Sequence, residues 1–148
     1  MTISESIILV TSGRTISGSN IYDCQAVDLL SKSRQTCSNL KHYPHACVGA
    51  AGAVLNGVPL ICGGKLKAAT KKVTYSECYK YERHTNNWEF LTNMTSKRAW
   101  FASAPLNGTL FVTGGVNGNP SKNTGNKVYL LHKLGPSSPA LTITQNNY

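Results

Sequence analysis

The sequence predicts an all-β chain in which one antiparallel unit recurs. Three observations carry this. Short apolar runs end in glycine at Gly13, Gly64 and Gly115, spaced 51 residues apart at each step. The runs are brief, rich in β-branched and aromatic residues, and punctuated by Asn-Gly and Gly-Gly turns. Helical periodicity is absent, and the one short candidate, residues 26–30, reads as strand plus turn.

The unit is most complete in residues 53–88. An apolar run ends at Asn56-Gly57, and a second, Leu60-Ile61-Cys62, ends at Gly63-Gly64. A polar, lysine-rich loop follows. Next come the alternating run Tyr75-Ser76-Glu77-Cys78-Tyr79-Lys80-Tyr81, the turn Arg83-His84-Thr85-Asn86-Asn87, and Trp88. That makes four antiparallel strands. The 51-residue offset also carries Leu55-Asn56-Gly57 onto Leu106-Asn107-Gly108, and Cys37 and Leu40 onto Trp88 and Leu91. The register slips by three within loops, where Cys24 best matches Cys78. Loops tolerate such slips, whereas strands do not.

Each element can be read in order. Residues 7–11 form a strand, 14–20 a polar loop, and 21–30 a strand with Tyr22, Cys24, Ala26 and Asp28 on one face. Residues 31–35 turn, and 36–40 form an outer strand. Residues 41–46 connect to the next unit. Its innermost strand, residues 47–55, is full of small residues and fits a crowded axis. Residues 58–62, 74–82 and 88–91 complete it, with Pro59 at a strand start, where a missing N–H is tolerated. Residues 99–106, 109–113 and 127–132 begin a third copy. Pro136, Pro139 and the polar end read as linker or tail.

The diglycine after an apolar strand, the aromatic-rich strand beyond a loop and the closing Trp88 resemble the kelch repeat, whose period of about 50 residues also fits. The resemblance runs from about Ile7 to about Leu134. It implies a kelch-type β-propeller segment: four-stranded antiparallel blades around a central channel, in an incomplete ring. The expected boundaries are a propeller segment over 1–135, with blade one partial (1–41), blade two at 46–92, blade three partial (98–134), and a tail at 136–148. Its structural residues are Gly13, Gly63, Gly64, Trp88, Gly114 and Gly115. The first copy departs from the pattern, with Ser12-Gly13 for the diglycine and Cys37 for Trp. The third has no Trp. Trp88 is expected between adjacent sheets, with a partner for its N–H. Of Trp100 and Phe101, one should pack and the other reach the loop face.

At 148 residues the chain holds two to three such blades, whereas propellers use four to eight. The expectation is a piece of a longer polypeptide; the alternative is a short chain that completes its sheets by oligomerising. No run of 18 apolar residues exists to span a membrane, and the first ten residues lack a signal-peptide pattern.

Five cysteines occur: Cys24, Cys37, Cys47, Cys62 and Cys78. No Cys-x-x-Cys exists and the histidines lack zinc spacing, so no metal site is expected. Cys62 and Cys78 fall on partner strands across the lysine loop and are the disulfide candidate, within Cα reach. The alternative is two buried thiols in a cytosolic propeller. The Cys-Gly-Gly…Glu-Cys-Tyr pattern is similar to that of extracellular kelch-like proteins. Two glycosylation sequons, at Asn93 and Asn107, lean the same way, toward secretion.

Net charge is +9, from 15 basic and 6 acidic residues. The resemblance puts the loops between strands two and three, and between blades, on one face. Those loops carry Arg14, Lys41, Lys65, Lys67, Lys71, Lys72, Lys97, Arg98 and Lys122. Such a face steers acidic partners; a solvated surface that keeps the protein soluble is the plain alternative. The resemblance implies a protein or peptide partner bound at these residues, with Tyr43, His45 and Trp100 as further contacts. The remaining blades, in a longer chain or other copies, are further partners. No nucleic-acid module is recognisable. Six acidic residues with no paired arrangement argue against an enzyme, and no cofactor is expected. The alternatives are a fragment of an extracellular galactose-oxidase-like enzyme, whose copper site would need Tyr, Cys and His to converge, or a purely structural propeller segment.

Overall fold

Apolar–polar alternation broken by glycine turns gives twelve strands and no helix among the described residues. The structure is a computed structural model, and it describes residues 7–28, 30, 33–36, 41–68, 71–117 and 128–131. Lys122, Cys37, Leu40 and the 136–148 tail lie outside them.

The strands are β1 (Ile7–Arg14), β2 (Asn20–Asp28), β3 (Ser33–Thr36), β4 (Ala51–Leu55), β5 (Val58–Cys62), β6 (Lys65–Lys67), β7 (Lys72–Thr74), β8 (Glu77–Glu82), β9 (Asn87–Asn93), β10 (Ala102–Leu106), β11 (Thr109–Thr113) and β12 (Val128–Leu131). They form sheets ordered β1-β2-β3, β4-β5-β8-β9 and β10-β11-β12, plus a separate hairpin β6-β7. Every pairing is antiparallel. The central four-stranded sheet is the unit that the sequence writes out most fully.

Several elements differ from the sequence reading: β1 runs on to Arg14, β4 starts at Ala51 rather than residue 47, β8 at Glu77 rather than 74, and β10 at Ala102 rather than 99. The third strand of the first sheet starts at Ser33, not residue 36, because β2 ends at Asp28, short of the expected residue 30, and Asp28 pairs with Ser33. The lysine-rich stretch is not a plain loop. Lys65-Leu66-Lys67 and Lys72-Val73-Thr74 alternate with period two and pair as a hairpin, with Lys67 opposite Lys72.

The 51-residue period reappears in the backbone. Asn56-Gly57 and Asn107-Gly108 turn with positive φ at all four residues, which suits the right-handed twist of a tight hairpin. Val48 bridges Lys65, and Ala99 bridges Val116. Ser12 takes the left-handed conformation of Gly63 and Gly114, at φ 58 against 62 and 73. The diglycine has a steric reason. A Cβ on Gly63 would lie 2.6 Å from the Arg98 carbonyl oxygen, and one on Gly64 2.5 Å from the Cys47 sulfur.

One core lies between the second and third sheets, around Ala53, Leu55, Leu60, Cys62, Cys78, Met94, Phe101, Leu110 and Val112. Burying each large aliphatic there contributes about 1.5–3 kcal/mol. A second cluster covers the opposite face of the central sheet: Tyr43, Cys47, Ile61, Tyr81 and Trp88. Trp88 is buried, edge-on to Tyr43 and Tyr81, and donates its indole N–H to the Lys41 carbonyl at 3.0 Å. Cys62 and Cys78 pair directly across β5 and β8 and are joined by a disulfide. The first sheet has Thr11 opposite Cys24 at this place, and the third has Thr113 opposite Val128. Hence this staple belongs to the central sheet.

Candidate functional site

Three connections meet at one end of the central sheet: residues 41–50, 63–76 and 94–101. Backbone bonds tie them together. Gly64 donates to Arg98, Arg98 to Tyr75, and Tyr75 back to Gly64, at 2.9–3.0 Å. Val48 and Lys65 exchange two bonds, and Trp100 donates to Gly49 at 2.7 Å. Among the described residues, the opposite end of the central sheet carries the short turns at 56–57 and 83–86, and 107–108 is the matching turn of the third sheet.

These three segments contain seven cations and no carboxylate. Lys41, Lys67, Lys71, Lys72 and Lys97 are exposed, and Lys65 is half-buried. Arg14 is also exposed, and its Nε donates to Gly18 within its own loop at 2.6 Å. Acidic side chains sit on the strands instead, where Lys80 bridges Glu82 and Glu89. Lys41, Lys65, Lys67, Lys71, Lys72 and Lys97 thus fall in connections that are bonded to one another at one end of the central sheet.

Arg98 is a correction. It is 0% exposed, so it is no part of the accessible face. Its guanidinium donates to the Gly114 carbonyl at 2.7 Å and lies 6.0 Å from the Phe101 ring centre. Cys47 occupies the equivalent place one repeat earlier, with its sulfur 3.8 Å from the Gly63 carbonyl. Both side chains cap the carbonyl of the first glycine in a diglycine. Burial pushes the Cys47 thiol up to about 11, against the opposing effect of a hydrogen bond with Ser12.

Tyr43 is likewise a core residue rather than a surface contact, at 1% exposed. It packs edge-on to His45, Tyr79 and Trp88. Burial, above all, raises its phenol far beyond the ordinary range, and nearby Cys47, Tyr79 and Glu77 add to this. His45 is half-buried, stacked on Tyr75 with ring centres 3.9 Å apart, and its Nε2 is 3.4 Å from the Tyr79 hydroxyl. Desolvation lowers its pKa, partly countered by Glu77. Tyr and His thus converge here, but no three His, Cys, Asp or Glu side chains gather to hold a metal among the described residues.

Phe101 is buried and Trp100 is 55% exposed, which resolves that pair as expected. Trp100 is left-handed, at φ 55. Its counterpart 51 residues earlier is Gly49, also left-handed at φ 67. Lys65 Nζ stands 5.8 Å from the Trp100 ring centre. Both sequon asparagines are exposed: Asn93 at the end of β9, with Oδ1 3.3 Å from Ser76 Oγ, and Asn107 in its turn. Among the described residues no helix is long and apolar enough to cross a membrane.

No family model matches the chain. It is 33% identical over 109 residues to the influenza virus NS1A-binding protein homolog of Mus musculus and 32% identical to the influenza virus NS1A-binding protein of Homo sapiens. The match covers 74% of this chain and 15% of each relative. Among solved structures, that of YjhT is similar with a TM-score of 0.63 at 24% identity, over 80% of this chain and 34% of that one. That neighbour has a β-propeller-like fold. In architecture, therefore, this chain is an all-β run of antiparallel blades of the propeller kind, with one complete four-stranded blade at its centre.

Proposed function

We propose that this chain is a kelch-repeat protein-interaction module, not an enzyme, and that it binds an acidic protein segment at its basic loop end. The diglycines, the aromatic-rich strand and Trp88 support the kelch reading, and the two relatives are named for binding influenza virus NS1A. One observation carries the choice of face: three connections that bring six lysines and no carboxylate of their own are gathered at a single end. Within the β6–β7 hairpin, Lys67 and Lys72 stand directly opposite one another. Like charges so placed repel, and a bound carboxylate relieves that repulsion.

The test is a fluorescence titration with a labelled poly-glutamate peptide at low and at physiological salt. Binding should weaken as salt rises, since exposed charges are screened over about 10 Å. The triple variant K67E/K71E/K72E should lose at least about tenfold in affinity. If the variant binds as tightly as the wild type, the basic loop end is not the binding face.

A further inference from the structure

Trp100 sits in a conformation that bulky residues avoid, because the left-handed region brings Cβ against the backbone. The preceding repeat fills this place with Gly49. The core does not require the tryptophan, because 55% of it is exposed while its neighbour Phe101 enters the core. Its ring lies over Gly49: a Cβ there would stand 2.8–2.9 Å from the Trp100 amide nitrogen, Cγ and Cδ1. Gly49 therefore clears the surface on which the indole rests. Lys65 Nζ is 5.8 Å from the ring centre, within cation–π range. Exposed Lys67, Lys71, Lys72 and Lys97 belong to the segments joined at this spot. A strained residue held in place by its surroundings is a mark of a binding or catalytic position, and tryptophan is enriched among residues that dominate interfaces.

We infer that Trp100 is the apolar anchor of the basic loop end, and that the partner segment carries one large apolar side chain among its carboxylates. The inference rests on the proposed loop-end reading. The apolar side chain packs on the indole face. The carboxylates flanking it lie against Lys65 and the hairpin lysines.

The test uses two labelled peptides, poly-glutamate and the same peptide with one central phenylalanine, against wild type, W100G and W100F. The wild type should prefer the phenylalanine peptide by at least about tenfold. W100G should erase that preference while leaving poly-glutamate affinity and its salt dependence nearly unchanged, and W100F should keep part of it. Because glycine relieves the left-handed strain, W100G should also melt at or slightly above the wild-type temperature. A fall in melting temperature for both variants would show that Trp100 is a packing residue, and would overturn the anchor. Equal binding of the two peptides by the wild type would also overturn the anchor yet leave the basic face standing. Failure of both peptides to bind would remove both ideas.

Discussion

His45 shows how one side chain links the loop end to the core. It is held between Tyr75 and the edges of Tyr43 and Tyr79, with the Glu77 carboxylate near enough to oppose part of the desolvation. Its pKa is lowered in the fold, so the unfolded chain takes up the proton more readily. Stability is then fully present above the ordinary histidine value of about 6.5 and declines as pH falls below it. Urea unfolding between about pH 7 and pH 5 should show this decline in the wild type and a flatter profile in H45F. Equal profiles would mean that His45 titrates alike in both states. At the same scale, Cys47 and Arg98 show two chemistries for one need. A thiol and a guanidinium each cap the first carbonyl of a diglycine, and a capped carbonyl avoids the cost of a buried orphan acceptor.

At the scale of elements, β5 and β8 are held by paired residues as well as by backbone bonds. The Cys62–Cys78 bridge spans 16 residues and encloses the lysine hairpin. In the chain-entropy account a loop of this size contributes about 3 kcal/mol. Denaturant unfolding of C62A/C78A should therefore show a loss of about 3 kcal/mol relative to the oxidised protein; an unchanged midpoint would contradict this. Much of this architecture was legible in the sequence. The 51-residue spacing of Gly13, Gly64 and Gly115, the Asn-Gly turns and the Cys62–Cys78 pairing all carried over. The β6–β7 hairpin was hidden because four lysines read as a solvated loop, although Lys65-Leu66-Lys67 and Lys72-Val73-Thr74 alternate as strands do. The burial of Arg98 was hidden too. An arginine in a connection reads as exposed, and only its 51-residue offset from Cys47 hints at an interior place.

At the scale of the whole molecule, charge divides along the strand direction. Six lysines and the buried Arg98 occupy the three connections at one end. Glu82 and Glu89 lie toward the other end of β8 and β9, and Glu77, at the start of β8, is the one carboxylate of the described residues beside the connections, where it accepts from the Ser76 amide. The blades keep this end fixed because the connections bond to one another rather than to solvent alone. A predominantly basic end with an exposed tryptophan is the ground of the proposed capture of an acidic segment. The chain spans about a third of the similar solved structure and 15% of its curated relatives.

The most direct test is an amide chemical-shift map of the isotopically labelled protein titrated with the poly-glutamate peptide. The account predicts shifts confined to residues 41–49, 65–76 and 95–100, with the Trp100 indole N–H among them. Shifts centred on the turns at 56–57, 83–86 and 107–108, or none at any residue, would contradict it.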